Sequence, residues 1–313
     1  MNNIYSVLTP DEKEIFTLRA LYAEYGYEQY KMSKFEEYDL YAKNKDFLIS
    51  DNIITFTDTD GRLLALKPDV TLSIIKNSRD ITDKLIKAQY NENVYRISGG
   101  THSFKELMQT GLECIGAVSE AEIAEVIMLA AKSLDTISEN NILTLSQLDI
   151  AESVMRSANI SENAVSEIFK SLGQKNRSGI KEIALSEGKS EEVAELIASL
   201  SDVYGEADAV IPRLDSFRVN EAASKAIDSF ASAIERLKRL GISEKLRIDF
   251  SLVSDMKYYN GIAMKGFIEG IPSSVLTGGQ YDNLMRKMGR SAKAIGFAVY
   301  LDELERFFAV GGK

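Results

Sequence analysis

The sequence has one histidine, one cysteine, no tryptophan and only four prolines in 313 residues. A lone cysteine, Cys114, excludes an internal disulfide, and His102 as the only histidine excludes a Cys/His metal cluster. The same scarcity leaves thiol-protease, Ser-His-Asp hydrolase and haem readings strained or impossible. No apolar run reaches about 18 residues, so no membrane-spanning helix is expected. Basic runs never exceed two residues, and 47 acidic against 37 basic side chains give a net charge of −10. Grip on a phosphate backbone needs clustered Lys and Arg, so a nucleic-acid partner is disfavoured. The opening segment MNNIYSVLTPDEKEIF has no basic region leading into an apolar run. The chain therefore reads as soluble and cytoplasmic, with neither a nucleic acid nor a membrane as partner. At 45% apolar residues it can build a core without a disulfide or metal staple. A chain of this length buries about three-quarters of its unfolded surface.

What is present is a mixed pattern. Thr9-Pro10-Asp11-Glu12 is a capping box with proline at the first helical position, predicting a helix from Pro10 to Tyr25 that stops at Gly26. Tyr27 to Phe35 reads as extended. Asn52 to Leu66 reads as a hairpin around Asp58-Thr59-Asp60-Gly61. Pro68-Asp69 opens a helix through Ile75. Val94–Ile97 and Leu107–Ile115 read as a second strand pair, followed by a helix over Glu120–Ser138 and a strand over Leu143–Leu148. From Asp149 to about Asp215 short helices follow one another, with breaks expected at Asn159, Gly173, Gly179, Gly188 and Gly205. A long amphipathic helix is predicted over Val219–Leu240. Strands return at Leu246–Val253, Tyr258–Ile268 and Ala294–Val299, with a closing helix over Leu301–Phe308. Hairpins rather than strict β/α alternation predict an α+β fold on an antiparallel sheet. The boundaries are a core of 1–150 and 217–313 and a helical insert of 151–216.

Several positions stand out chemically. On the strand through Leu107–Gly116, period-two alternation puts Gln109, Gly111, Glu113 and Ile115 on one face and Met108, Thr110, Leu112 and Cys114 on the other. A carboxylate on a central strand needs a donor or a cation, which an amino or imidazole ligand would supply; a solvated edge face would also explain it. Asp69 and Thr71 either cap a helix or point into a cleft beside Gln109 and Glu113. Arg96 can grip a carboxylate or phosphate, or form a surface salt bridge. His102 lies in a Gly-Gly-Thr-His-Ser loop, and Cys114 reads as a small core residue. Thr277-Gly278-Gly279-Gln280-Tyr281-Asp282 reads as a glycine turn without P-loop spacing. Tyr258-Tyr259-Asn260-Gly261 is open between a hairpin turn and a ligand-facing pair.

Taken in order, these pieces resemble the catalytic domain of class II aminoacyl-tRNA synthetases, specifically histidyl-tRNA synthetase. The matching segments are Leu66-Lys67-Pro68-Asp69-Val70-Thr71, Tyr95-Arg96, Lys105 through Glu113, Tyr258-Tyr259-Asn260-Gly261, Gly278-Gly279-Gln280-Tyr281-Asp282 and Ala294-Ile295-Gly296-Phe297-Ala298. The departures are as informative. Glu303 stands in the stretch where the synthetase carries a phosphate-binding arginine. Ser254-Asp255-Met256-Lys257 replaces an Arg-containing stretch, and the chain ends at Lys313 without room for an anticodon-binding domain. Phosphate chemistry without those cations loses its main electrostatic stabilisation.

That combination resembles the regulatory-subunit family of ATP phosphoribosyltransferase, the paralogue of histidyl-tRNA synthetase in histidine biosynthesis. The resemblance implies no synthetase activity and no cofactor. It implies instead a short catalytic phosphoribosyltransferase subunit as partner, L-histidine as feedback effector, and a homodimer within a hetero-oligomer. Lys67, Val70, Gln280 and Ser33 differ from the residues usual in that family or in its dimer motif. By the same resemblance, Glu113 and Tyr258, with Tyr259 adjacent, engage the imidazole. Asp69 and Thr71 hold the α-amino group, and Gln109 with Arg96 faces the carboxylate. The rival reading is a trimmed synthetase-like enzyme that still activates an amino acid.

Overall fold

Thr9 and Glu12 close the expected capping box, and the first helix, α1, runs Pro10–Glu24, one residue short of the prediction. Gly26 follows at φ +82, a left-handed turn that favours glycine. The structure, a computed structural model, describes residues 7–45, 48, 53–97, 103–242, 244–252 and 258–304. His102, Ser254 through Lys257 and the end of the closing helix fall outside them.

A three-stranded sheet and a long strand pair follow in the first part of the chain. A small antiparallel sheet has the order β2 (Phe35–Glu37), β4 (Leu63–Leu66), β3 (Thr55–Thr57). The Asp58 carboxylate ties the β3–β4 turn by accepting from the backbone N–H groups of Asp60 and Arg62. A short helix, α2 (Tyr38–Ala42), follows β2, and α3 (Val70–Asn77) follows β4. Then β5 (Leu85–Ile97) and β6 (Phe104–Gly116) pair along their whole length. β5 is far longer than Val94–Ile97, because a stretch of polar residues (Gln89, Asn91, Glu92, Asn93) pairs with β6 despite weak strand propensity.

Among the described residues the main sheet has nine strands. To β1 (Glu28–Gln29), β5 and β6 are added β12 (Lys293–Tyr300), β11 (Leu276–Gln280), β10 (Asn260–Ile268), β7 (Asn141–Gln147), β9 (Leu246–Asp249) and β8 (Tyr204–Glu206), in that spatial order. It is antiparallel except at β1–β5 and β7–β9, so the sheet is mixed. One face, with Leu112, Cys114, Leu145 and Phe297, packs on α1, α4 (Glu120–Ile137) and α10 (Glu221–Arg239). The opposite face, with Tyr90, Val94, Ile115 and Ala294, meets α2, α3 and α11 (Asp282–Lys287). The predicted alternation along β6 therefore holds.

Between β7 and β8 run α5 (Leu148–Ser157), α6 (Glu162–Gly173), α7 (Arg177–Ser186) and α8 (Glu191–Ala198). Asn159 at φ +51 and Gly188 at φ +75 end helices as expected. Gly179 does not: it lies inside α7, where the Asn176 side chain accepts from its N–H at 3.0 Å. Gly205 lies in β8, which joins the main sheet, and Ile180, Ile197 and Leu214 belong to the same core as α4. Gly278 and Gly279 are also corrected. They are strand residues of β11, not a turn, because a Cβ at Gly278 would lie 2.4 Å from the Gly296 carbonyl oxygen on β12.

Candidate functional site

Glu113 lies on β6 between Ala88 of β5 and Gly296 of β12, and is 2% exposed. Room for its carboxylate exists only because Gly296 has no side chain: a Cβ there would stand 1.8 Å from Glu113 Oε2. Thr71 Oγ1, from the first turn of α3, donates to Glu113 Oε1 at 2.7 Å. The Tyr281 hydroxyl donates to Oε2 at 2.6 Å. Tyr281 is aimed by its backbone N–H, which donates to Ala294 O at the head of β12. Burial pushes the Glu113 carboxyl up to about 8; the two hydroxyls oppose the shift and the Asp69 carboxyl adds to it. A carboxyl in this state gains most from a ligand that brings a cation or an N–H donor.

Asp69 caps α3, accepting from the Leu72 N–H at 2.9 Å. Burial raises its carboxyl, against the Leu72 N–H and the Arg96 guanidinium. Arg96 shares the Glu113 face of the sheet and donates through Nε to the Pro68 carbonyl at 3.1 Å. Tyr258 packs edge-on to Tyr259 with ring centroids 4.8 Å apart, and lies 6.0 Å from Tyr281. Burial holds the Tyr258 and Tyr281 phenols well above their ordinary values, so both are neutral donors. Gln109 is 4% exposed and sits across from Glu92 of β5 and Tyr300 of β12. The structure thus gathers Asp69, Thr71, Glu113 and Tyr258 in one buried cluster with Tyr259 packed on Tyr258, with Gln109 further along the same strand face and Arg96 at the Pro68–Asp69 step.

Sequence reasoning missed Tyr281, Tyr90 and the Lys67–Glu92 pair. Tyr281 was readable as part of the Gly-Gly-Gln-Tyr-Asp segment but had no period to mark it. Tyr90 and Glu92 were hidden with the first half of β5. The Tyr90 hydroxyl donates to Phe297 O at 3.3 Å and stands where a Cβ on Gly111 would go. Lys67 is fully buried, with Nζ 2.9 Å from Glu92 Oε2. Cys114 faces the helical core and burial pushes its thiol up to about 12, which makes it a poor nucleophile. Among the described residues, no group of three or more His, Cys, Asp or Glu side chains could hold a metal ion. Nor is any helix among them long and apolar enough to cross a membrane. The cluster offers two carboxyls, hydroxyl donors and an aromatic wall, groups that suit a cationic or N–H-bearing partner better than a phosphate.

The raised Glu113 carboxyl has a thermodynamic consequence. Between the ordinary carboxylate range and about pH 8 the folded chain keeps a proton that the unfolded chain has released. Stability therefore falls as pH rises through that window and levels off above it, by up to ~1.4 kcal/mol per pH unit. Glu113→Gln removes this contribution. Urea midpoints of the ligand-free protein from pH 5 to 8.5 should show the variant gaining on the native chain by about 1–3 kcal/mol. A constant difference between the two would place the Glu113 ionisation elsewhere. The Lys67–Glu92 pair gives a smaller effect. Lys67→Met keeps the volume but strands Glu92, which is 18% exposed and can partly rehydrate, so a loss of about 1–2 kcal/mol is expected in thermal or urea unfolding.

The family model for histidyl-tRNA synthetase matches residues 12–304. The ATP phosphoribosyltransferase regulatory subunit of Acetivibrio thermocellus is 29% identical over 291 residues, covering 90% of this chain and 68% of its own length. Among solved structures, an ATP phosphoribosyltransferase regulatory subunit/histidyl-tRNA synthetase from Bacillus halodurans superposes with a TM-score of 0.82 at 24% identity, over 94% of this chain and 78% of that one. A chain of the ATP phosphoribosyl transferase (HisG:HisZ) complex from Thermotoga maritima superposes with a TM-score of 0.72 at 17% identity, over 93% of this chain and 97% of that one. The two structural likenesses establish the class II synthetase fold. The family match spans both halves of the main sheet and the helices between them, and so the chain belongs to the histidyl-tRNA synthetase family.

Proposed function

We propose that this chain is a non-catalytic regulatory subunit of an ATP phosphoribosyltransferase in histidine biosynthesis, needed by a short catalytic subunit and conferring feedback inhibition by histidine. One pairing of features carries the reading: a buried carboxyl at Glu113 suited to an N–H-bearing cation, and, on the turn after β12, an acidic residue where phosphate chemistry needs a positive one. That residue, Glu303, lies in the helical turn 301–304 after β12 and accepts a hydrogen bond from Ser273. The name carried by the Acetivibrio thermocellus relative supports the same role. In this reading Glu113 and Tyr258, with Tyr259 behind, hold the imidazole. Asp69 takes the α-amino group; Thr71, already donating to Glu113, accepts from that group through its second lone pair. Gln109 and Arg96 meet the carboxylate. The chain works in the cytoplasm as a homodimer within a hetero-oligomer, without nucleic acid, and residues 151–216 form a mainly helical insert that adds the edge strand β8 to the main sheet of the synthetase-like core.

The deciding experiment pairs the chain with a short ATP phosphoribosyltransferase catalytic subunit. Co-purification, stimulation of phosphoribosyl transfer and inhibition by added L-histidine are the expected results. Histidine-dependent pyrophosphate–ATP exchange by the chain alone would overturn the non-catalytic assignment.

A further inference from the structure

Tyr258 and Tyr259 are followed at once by a break in the sheet. The β10–β11 ladder shifts register between Asn260 and Ala263, and Gly261 adopts φ +61. A bulge of this kind leaves backbone N–H groups without ladder partners. Here side chains from two other elements take them. Asp149 Oδ1, in the first turn of α5, accepts from Gly261 N at 3.0 Å. Gln280 Oε1, at the end of β11, accepts from Ile262 N at 2.8 Å. The bulge favours its glycine through the left-handed φ, and a Cβ there would stand 2.3 Å from Gln280 Oε1 and push that side chain off the Ile262 N–H. Asn260 Oδ1 in turn accepts from the Asn283 N–H in the first turn of α11.

From this we infer that Asp149 and Gln280 are positioning residues for Tyr258, and that the Asp149–Gly261 hydrogen bond lets the helical segment sense whether the pocket is filled. The inference rests on the histidine-pocket reading above and adds the route by which occupancy leaves the pocket. Only two residues, Tyr259 and Asn260, separate Tyr258 from Gly261. A ligand that draws Tyr258 toward Glu113 pulls on the bulge, and the bulge is held by the helix that opens the helical segment. α5 packs directly on β10 and passes the constraint further: its Ser153 carbonyl accepts from the Asn220 side chain, which also caps α10. A discrete hydrogen bond between a separate helix and the bulge that follows a ligand-facing tyrosine is the kind of element that both sites can bias.

The test uses the full chain, L-histidine, calorimetry for affinity and amide hydrogen exchange for α5. In the native chain, saturating histidine should slow exchange across residues 148–157 by about fivefold or more, within the usual range of coupling between sites. Asp149→Ala should weaken histidine binding by about five- to tenfold, because Tyr258 loses its positioning, and should lose the α5 response. Asp149→Asn keeps an acceptor for the Gly261 N–H and should restore the response. The inference is overturned if native α5 exchange is unchanged by bound histidine, if the response survives in Asp149→Ala, or if Asn behaves as Ala does. The first of these outcomes needs no variant, so a poorly folded Asp149→Ala does not protect the idea. Absence of any histidine binding by the native chain would instead overturn the pocket reading, and the inference with it.

Discussion

Glu113→Ala is expected to abolish histidine binding, with affinity falling by about 10²-fold or more, the usual cost of deleting one partner of a buried charge-assisted contact. The reason is local. Glu113 is the deepest carboxyl of the pocket, with both oxygens already oriented by Thr71 and Tyr281. Its removal deletes the group that would receive the imidazole and leaves two buried hydroxyls without their acceptor, which costs about 1–3 kcal/mol for each one left unsatisfied. Glu113→Gln separates the two effects, because it preserves volume and can still meet both hydroxyls. It should fold at least as well as the native chain at pH 7 and still bind histidine far more weakly. Calorimetric titration with L-histidine, alongside circular dichroism of each variant, reads the result. Undiminished affinity in either folded variant would mean that the ligand sits elsewhere.

The second large effect is steric. Gly296→Ala should destabilise the fold by about 2–4 kcal/mol, as overpacking does when the neighbours cannot retreat. The added Cβ would stand 1.8 Å from Glu113 Oε2 and 2.5 Å from the Leu112 carbonyl oxygen. The carboxylate could swing aside, but Leu112 O belongs to the backbone of β6, paired on both sides. The same change should therefore weaken histidine binding by displacing Glu113. Gly289→Ala is the useful contrast. Gly289 sits at φ +71 with nothing within 4 Å, so it tests backbone conformation without a clash, at about 1 kcal/mol. Denaturant unfolding of the two variants separates close packing from left-handed geometry. A Gly296→Ala protein within 0.5 kcal/mol of native, about the error of such comparisons, would show that β6 and β12 are not so closely apposed beside Glu113.

Much of the fold was legible because its signals are local. The capping box at Thr9, the cap at Asp69, the turn at Asp58 and the two-residue alternation of β6 each depend on residues within one turn or one strand. They determined where α1 and α3 begin, where the β3–β4 hairpin folds back, and that Gln109, Gly111 and Glu113 look the same way. The scarcity of histidine and cysteine excluded an internal disulfide and a Cys/His metal cluster from composition alone. What the sequence could not decide was which residues meet. The Glu113 carboxylate is closed by Thr71, 42 residues away, and by Tyr281, 168 residues away, and neither separation leaves a periodic trace. Gly278 and Gly279 looked like a turn because glycine is locally permissive. Only the approach of β12 makes them strand residues, and the first half of β5 became a strand because β6 was there to pair with it. Local chain stiffness and hydrogen bonding set the elements; strand register, a property of neighbours far apart in the chain, placed the carboxylate among its donors and so made the pocket.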